Sequence, residues 1–163
     1  MDERINQLPK IELHCHLDGS LSRGCVEELL GRKVSDRELM VDDNCKSLAQ
    51  YLEKFDLPLK CLQTEEGLRK AGYDFMRQMA MDGIIYVEVR LAPIQSVNAQ
   101  LNCRRVIEAV LEGLERGKKK FHIEYGLIVC AMRNHSDSQN LRMIRTAREF
   151  LGEGVCAADL AGD

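Results

Sequence analysis

The chain carries no surplus of positive charge. Lys and Arg number 23 against 26 Asp and Glu, a net charge of −3. That balance excludes a protein that grips a nucleic-acid backbone by electrostatics. Long apolar runs are also missing. The longest, Ile123–Met132, is about half of the ~20 residues a bilayer-spanning helix needs, and Glu124 interrupts it. The opening MDERINQLPK has charges of both signs and no apolar stretch, so it does not read as a secretion signal. No two cysteines are spaced C-x-x-C, and the seven present are an odd number, which argues against a disulfide framework. They read as reduced, buried small hydrophobes of a cytoplasmic protein, with Cys130 in LIVCAM and Cys156 in GVCAAD standing where aliphatics would serve. A cysteine nucleophile is the alternative. Low-complexity segments and linkers are absent as well. What is present is a 163-residue chain, 45% hydrophobic and 30% charged, which suits one globular domain over residues 1–163.

Along the chain, elements alternate. Ile11–His16 reads as a short strand, Ser22–Gly31 as a helix stopped by its glycine, and Lys33–Asn44 as irregular. Ser47–Leu62 has helical spacing with Leu48, Tyr51, Leu52 and Phe55 on one face and Pro58 as a kink or break. Thr64–Met81 is a stronger helix, capped by Thr64, with Leu68, Ala71, Phe75 and Met79 inward. Ile84–Arg90 is a second strand, Asn102–Lys118 a helix, His122–Met132 a third strand, Ser136 to about Leu151 a helix, and Val155–Leu160 a fourth strand. Strands separated by crossover-length helices predict a parallel α/β sheet.

Strand parity refines this reading. Ile11, Leu13 and Cys15 alternate with Glu12, His14 and His16, and Ile85, Val87 and Val89 alternate with Tyr86, Glu88 and Arg90. A doubly wound sheet buries apolar side chains on both faces. Strands with one apolar and one polar face fit a TIM-type (β/α)8 barrel, in which the apolar face meets the outer helices. Four strands amount to the N-terminal half of such a barrel. Half a barrel leaves its first and fourth strands as open edges, which predicts self-association.

His14-Cys15-His16-Leu17-Asp18-Gly19 carries the most chemistry. Residues two apart on a strand share a face, so the two imidazoles can converge on one divalent metal, and histidine nitrogen suits zinc. A pair of histidines on a solvated strand is the plainer alternative. The placement at the C-terminal end of a parallel strand is where barrel enzymes hold catalytic groups.

The block Leu8–Ser20 (LPKIELHCHLDGS) resembles the opening strand of adenosine deaminases, in the amidohydrolase superfamily. Ser47–Asp56 resembles that family's pocket-covering helix, and Gly83–Pro93, Val129–Arg133 and Asp159–Asp163 its second, third and fourth barrel strands. Related adenine deaminases usually carry Leu-Glu-Gly where this chain has Leu17-Asp18-Gly19, which favours the nucleoside over the free base. The resemblance implies zinc-dependent deamination of adenosine or deoxyadenosine to inosine and ammonia. It implies that His14 and His16 are zinc ligands, that Asp18 contacts the ribose hydroxyls, and that Gly162 offers its backbone to the purine. Leu48, Tyr51, Leu52 and Phe55 would then close over the substrate, and Met132 would touch the same pocket. A stripe of core residues is the alternative for that helix face. The cytidine-deaminase type of site is excluded, because no P-C-x-x-C occurs.

The resemblance also implies what this chain lacks. The family's third zinc histidine, its His-Ala-Gly-Glu block, its water-orienting histidine and its final zinc aspartate have no match here. Of the other two histidines, His122 opens the third strand, and His135, like Glu88, Arg90 and Arg133, reads as a structural polar group. The expectation is a truncated family member with no catalytic residue of its own and no turnover by itself. A non-catalytic half-barrel that pairs with itself or a partner is the competing reading, and an adenine-deaminase relative is a third.

Overall fold

The computed structural model describes residues 8–162. The expectations for residues 1–7 and for Asp163, the last residue of the DLAGD block, fall outside the described residues.

Four strands form one parallel sheet: β1 (Lys10–His16), β2 (Ile84–Leu91), β3 (Glu124–Met132) and β4 (Val155–Ala161), in the order β1-β2-β3-β4. Seven helices of α type accompany them: α1 (Arg23–Leu30), α2 (Asp36–Leu39), α3 (Leu48–Leu52), α4 (Asp56–Cys61), α5 (Glu65–Met81), α6 (Cys103–Phe121) and α7 (Asp137–Arg148). Short 3-10 turns occupy Glu53–Phe55 and Pro93–Ser96.

Local chemistry sets the helix ends. Thr64 Oγ1 accepts the Gly67 amide at 3.1 Å, Asn102 Oδ1 the Arg105 amide at 3.0 Å, and Ser22 Oγ the Cys25 amide at 3.1 Å. Each satisfies a donor that the first helical turn leaves without a partner. Gly31 closes α1 with φ of 66°.

The main core lies on one face of the sheet. Val87, Val89 and Leu91 of β2 and Leu127 and Val129 of β3 meet Leu68, Ala71 and Phe75 of α5 and Val106, Val110 and Leu114 of α6. Met143 and Ala147 of α7 complete that layer. Each fully buried leucine or phenylalanine contributes about 1.5–3 kcal/mol. At Gly113 a Cβ would overlap the Arg69 carbonyl oxygen, so α5 and α6 cross backbone to backbone there. The opposite face carries Glu88, Arg90, His14, His16 and Asp159, and beside them a smaller apolar cluster of Ala92, Cys130 and Met132. A main core on one face and a largely polar inner face match the barrel reading.

Several local expectations are corrected. The helix predicted over Ser47–Leu62 is three pieces, α3, the 3-10 turn and α4. Pro58 cannot donate to the carbonyl four residues back, and the chain tightens over Glu53–Phe55 just ahead of it. The segment predicted as irregular holds α2, where the Glu38 carboxylate accepts from the Ser35 amide at 2.9 Å. His122 does not open a strand. It closes α6 in the left-handed region with φ of 59°, and β3 starts at Glu124. Helix α7 ends at Arg148, short of Leu151. Ile11 and Leu13 do not pack under outer helices. They are 62% and 53% exposed, because β1 pairs only with β2 and slips in register along it. Cys156 is exposed rather than buried: its sulfur lies over Gly126, on the face that the helical layer does not cover.

Candidate active site

The C-terminal ends of the four strands gather the polar groups. On β1 the rings of His14 and His16 lie with centroids 5.6 Å apart and planes tilted by 40°. His16 pairs in register with Arg90 of β2. The Arg90 guanidinium spans the sheet: Nη1 donates to the Leu13 carbonyl at 2.6 Å, and Nε donates to Asp159 Oδ2 of β4 at 3.1 Å. Burial pushes the His16 imidazole below its usual range, and the neighbouring His14 and Arg90 push the same way against Asp159. A neutral imidazole is the form that ligates metal. The Leu160 amide, followed by Arg90, holds the Asp159 carboxyl below its usual range.

Asp18 follows at the end of β1 and is 6% exposed. Its Oδ1 is buried without a hydrogen-bond partner and lies 3.8 Å from His16 Nδ1. Burial pushes this carboxyl up to about 6. An unpaired buried acceptor is costly, and here it stands beside the histidine pair.

The segment from α3 through the 3-10 turn sits beside this mouth. The Phe55 ring lies 2.9 Å from where a Cβ on Gly19 would stand, and it meets Tyr51 edge to face at 5.5 Å. Leu48 and Tyr51 are exposed, Leu52 and Phe55 half-buried, and none of the four belongs to a core cluster. Met132, at the end of β3, packs with Ala92, Cys130 and Ala161. Gly162 has φ of 92°, which favours glycine, and its carbonyl accepts from Arg133 Nη1 at 2.8 Å. The Met132 methyl lies 3.1 Å from where a Gly162 Cβ would stand.

The histidine pair fits two positions of a metal site by ring placement and donor type. No group of three or more His, Cys, Asp or Glu able to hold a metal exists among the described residues. His122 closes α6 just before β3 begins, and His135 lies beyond the end of β3, its Nε2 buried without a partner. A cleft of about 470 Å³ between Ile94, Cys103, Arg104 and Arg142 lies apart from the histidines. The Arg90–Asp159 pair was not identified from sequence as part of the site. Strand parity places Arg90 on the polar face of β2, but its alignment with His16 and its bond to Asp159 follow from inter-strand register, which residue types do not announce.

The adenosine deaminase family matches residues 9–163. The adenosine deaminase of Clostridium acetobutylicum is 38% identical over 171 residues, covering 99% of this chain and 51% of that protein. The N6-mAMP deaminase of Arabidopsis superposes with a TM-score of 0.80 at 26% identity, over 98% of this chain and 52% of that one. A Burkholderia ambifaria amidohydrolase with bound Zn has the same fold, with a TM-score of 0.80 at 16% identity over 97% and 45% of the two chains. The chain spans about half the length of the curated relatives it matches. With that family match over nearly its whole length, and a polar strand mouth led by His14 and His16, the chain belongs to the adenosine deaminase family.

Proposed function

We propose that this chain forms one side of the active site of a zinc-dependent deaminase that converts adenosine or deoxyadenosine to inosine and ammonia. The observation that carries this reading is the pair of imidazoles, His14 and His16, side by side at the C-terminal mouth of a parallel sheet. In it, both act as neutral nitrogen donors to the metal. When bound, zinc supplies the Lewis acidity that brings the pKa of water to about 7. Asp18, whose Oδ1 has no partner, accepts from the ribose hydroxyls. Gly162 presents backbone to the purine edge, where its φ of 92° favours glycine and a side chain would crowd the Met132 methyl. Leu48, Tyr51, Leu52 and Phe55 exclude water from above, and Met132 lines the pocket wall. The 38% identity to an adenosine deaminase supports a nucleoside substrate, and the likeness to an N6-mAMP deaminase supports a substituted purine as the wider class. Seven unpaired thiols fit a reducing, cytoplasmic setting.

The described residues of this chain, a single domain by this reading, offer no set of three metal ligands, and we expect no turnover of adenosine by the chain alone. A second reading, a non-catalytic half-barrel that associates through its edges, is favoured by the incomplete donor set among the described residues. One experiment separates the two. Zinc is titrated into the chain against a colorimetric chelator, and adenosine is followed by loss of absorbance at its adenine band. We expect zinc binding that largely disappears when His14 and His16 are both replaced by Ala, without turnover in either protein. Equal zinc binding by both proteins would sink the metal-site reading. Turnover that His14→Ala abolishes would instead extend the first reading to the isolated chain.

A further inference from the structure

We propose that Arg90 is a positioning residue for the His14–His16 pair, a strap that holds the irregular end of β1 against β2 and β4. The inference rests on the reading of those histidines as metal ligands.

The pairing of β1 with β2 slips between Glu12 and Cys15. Such a slip leaves backbone groups without ladder partners and re-aims the side chains next to it. Both histidines depend on it, His14 lying inside the slip and His16 one residue beyond. Side chains bond two backbone groups inside the slip. The His14 amide donates to Glu12 Oε1 at 2.7 Å, and the Leu13 carbonyl accepts from Arg90 Nη1 at 2.6 Å. The same guanidinium donates through Nε to Asp159 Oδ2 on β4, and the Arg90 carbonyl accepts the Leu17 amide at 2.8 Å. Arg90 thus grips β1 on both sides of His16 and anchors that grip two strands away.

A guanidinium can do this because its donors are fixed in a planar fork. Its own side chain is 13% exposed, so it is held in place by its neighbours although its Leu13 and Asp159 partners reach solvent. Charge alone gives no reason for its location. A cation beside a cation-binding pair opposes the metal, and Asp159 offsets that opposition only in part. Geometry supplies the reason: without the strap, the Leu13 carbonyl loses its tie to β2 and the slip is free to relax, which turns the two rings apart.

The test uses Arg90→Lys and Arg90→Gln, with cobalt(II) and zinc as probes. Affinity is read by competition titration, ligand geometry by the cobalt visible spectrum, and the state of β1 by amide hydrogen exchange in the metal-free chain. We expect both variants to bind metal about tenfold or more weakly, within the range measured for groups that orient metal-ligating histidines. The cobalt spectrum should change, and amides from His14 to Leu17 should exchange faster while those of β3 do not. A charge-only role predicts the opposite sign: Arg90→Gln binds metal more tightly and Arg90→Lys is unchanged, which would overturn the proposal. Should Arg90→Gln fail to fold, Arg90→Lys keeps the charge, loses the fork and carries the test. Should the parent chain bind no more metal than His14→Ala, the metal reading fails and with it the role toward ligands. Exchange at β1 then still decides whether the strap exists, since unchanged rates in Arg90→Lys would refute it.

Discussion

Burial raises the Cys25 and Cys130 thiols to about 12 and the Cys103 thiol to about 11, helped by Asp74 beside Cys25 and by Asp159 beside Cys130. A thiol whose value is raised on folding favours the folded state below the ordinary thiol range, and that contribution fades as pH climbs toward the raised value. At pH 8 these three remain protonated and poorly nucleophilic. Brief iodoacetamide treatment of the native chain, read by peptide mass spectrometry, should therefore label exposed Cys45 first and leave Cys25 and Cys130 unmodified until denaturant is added. Early labelling of Cys130 would mean that the inner end of β3 opens readily. Cys130 was legible in the sequence as a small hydrophobe within a branched aliphatic run. Cys156 was not, because its flanking residues resemble those of Cys130. Its exposure follows from which face of β4 lacks a helical layer, a property of the assembled sheet.

Among the elements, the pair α5 and α6 is the most tightly constrained. At Gly113 there is no room for a methyl group against the Arg69 backbone. Gly113→Ala should cost roughly 1–3 kcal/mol in urea unfolding, with an unchanged denaturant slope, because neither backbone can retreat without disturbing the core. A loss well below 1 kcal/mol would show that the helices slide apart freely. The periodicity of Leu68, Ala71, Phe75 and Met79 made α5 readable, and its cap at Thr64 placed the start. The region from Ser47 to Leu62 was readable as helical but not as three segments. Sequence spacing shows the apolar face of Leu48, Tyr51, Leu52 and Phe55, whereas the tightening at Glu53–Phe55 depends on how Pro58 and the Gly19 turn are accommodated together. The two histidines were legible as a pair because strand parity dictates a shared face. Their link to Arg90 and Asp159 was hidden, since it depends on inter-strand register and on a local slip that no pattern of residue types announces.

On the scale of the whole molecule, β1 and β4 each pair on one side only among the described residues, and Ile11, Leu13 and Leu160 are half or more exposed beside those edges. Open parallel edges flanked by apolar side chains recruit other strands. The chain should accordingly associate at micromolar concentration in light scattering, and Ile11→Lys should shift it toward the monomer by placing charge on the β1 edge. A monodisperse monomer for the parent chain would count against this. The barrel class was legible from alternating strands and helices and from one-sided polarity. The condition of Ile11 and Leu13 was not, because a strand pattern names the face a residue should hide and is silent on whether anything lies there to cover it.

The sheet order has a last consequence, for biosynthesis. Each strand pairs with the strand made immediately before it, so no hydrogen-bonded ladder among the four waits for a strand made out of turn. The crossovers shorten along the chain, from residues 17–83 to 92–123 to 133–154, and the entropy of closure grows only slowly with such length. The sheet can therefore be laid down strand by strand as the nascent polypeptide leaves the ribosome, with the histidine-bearing edge in place first and serving as the template for the rest.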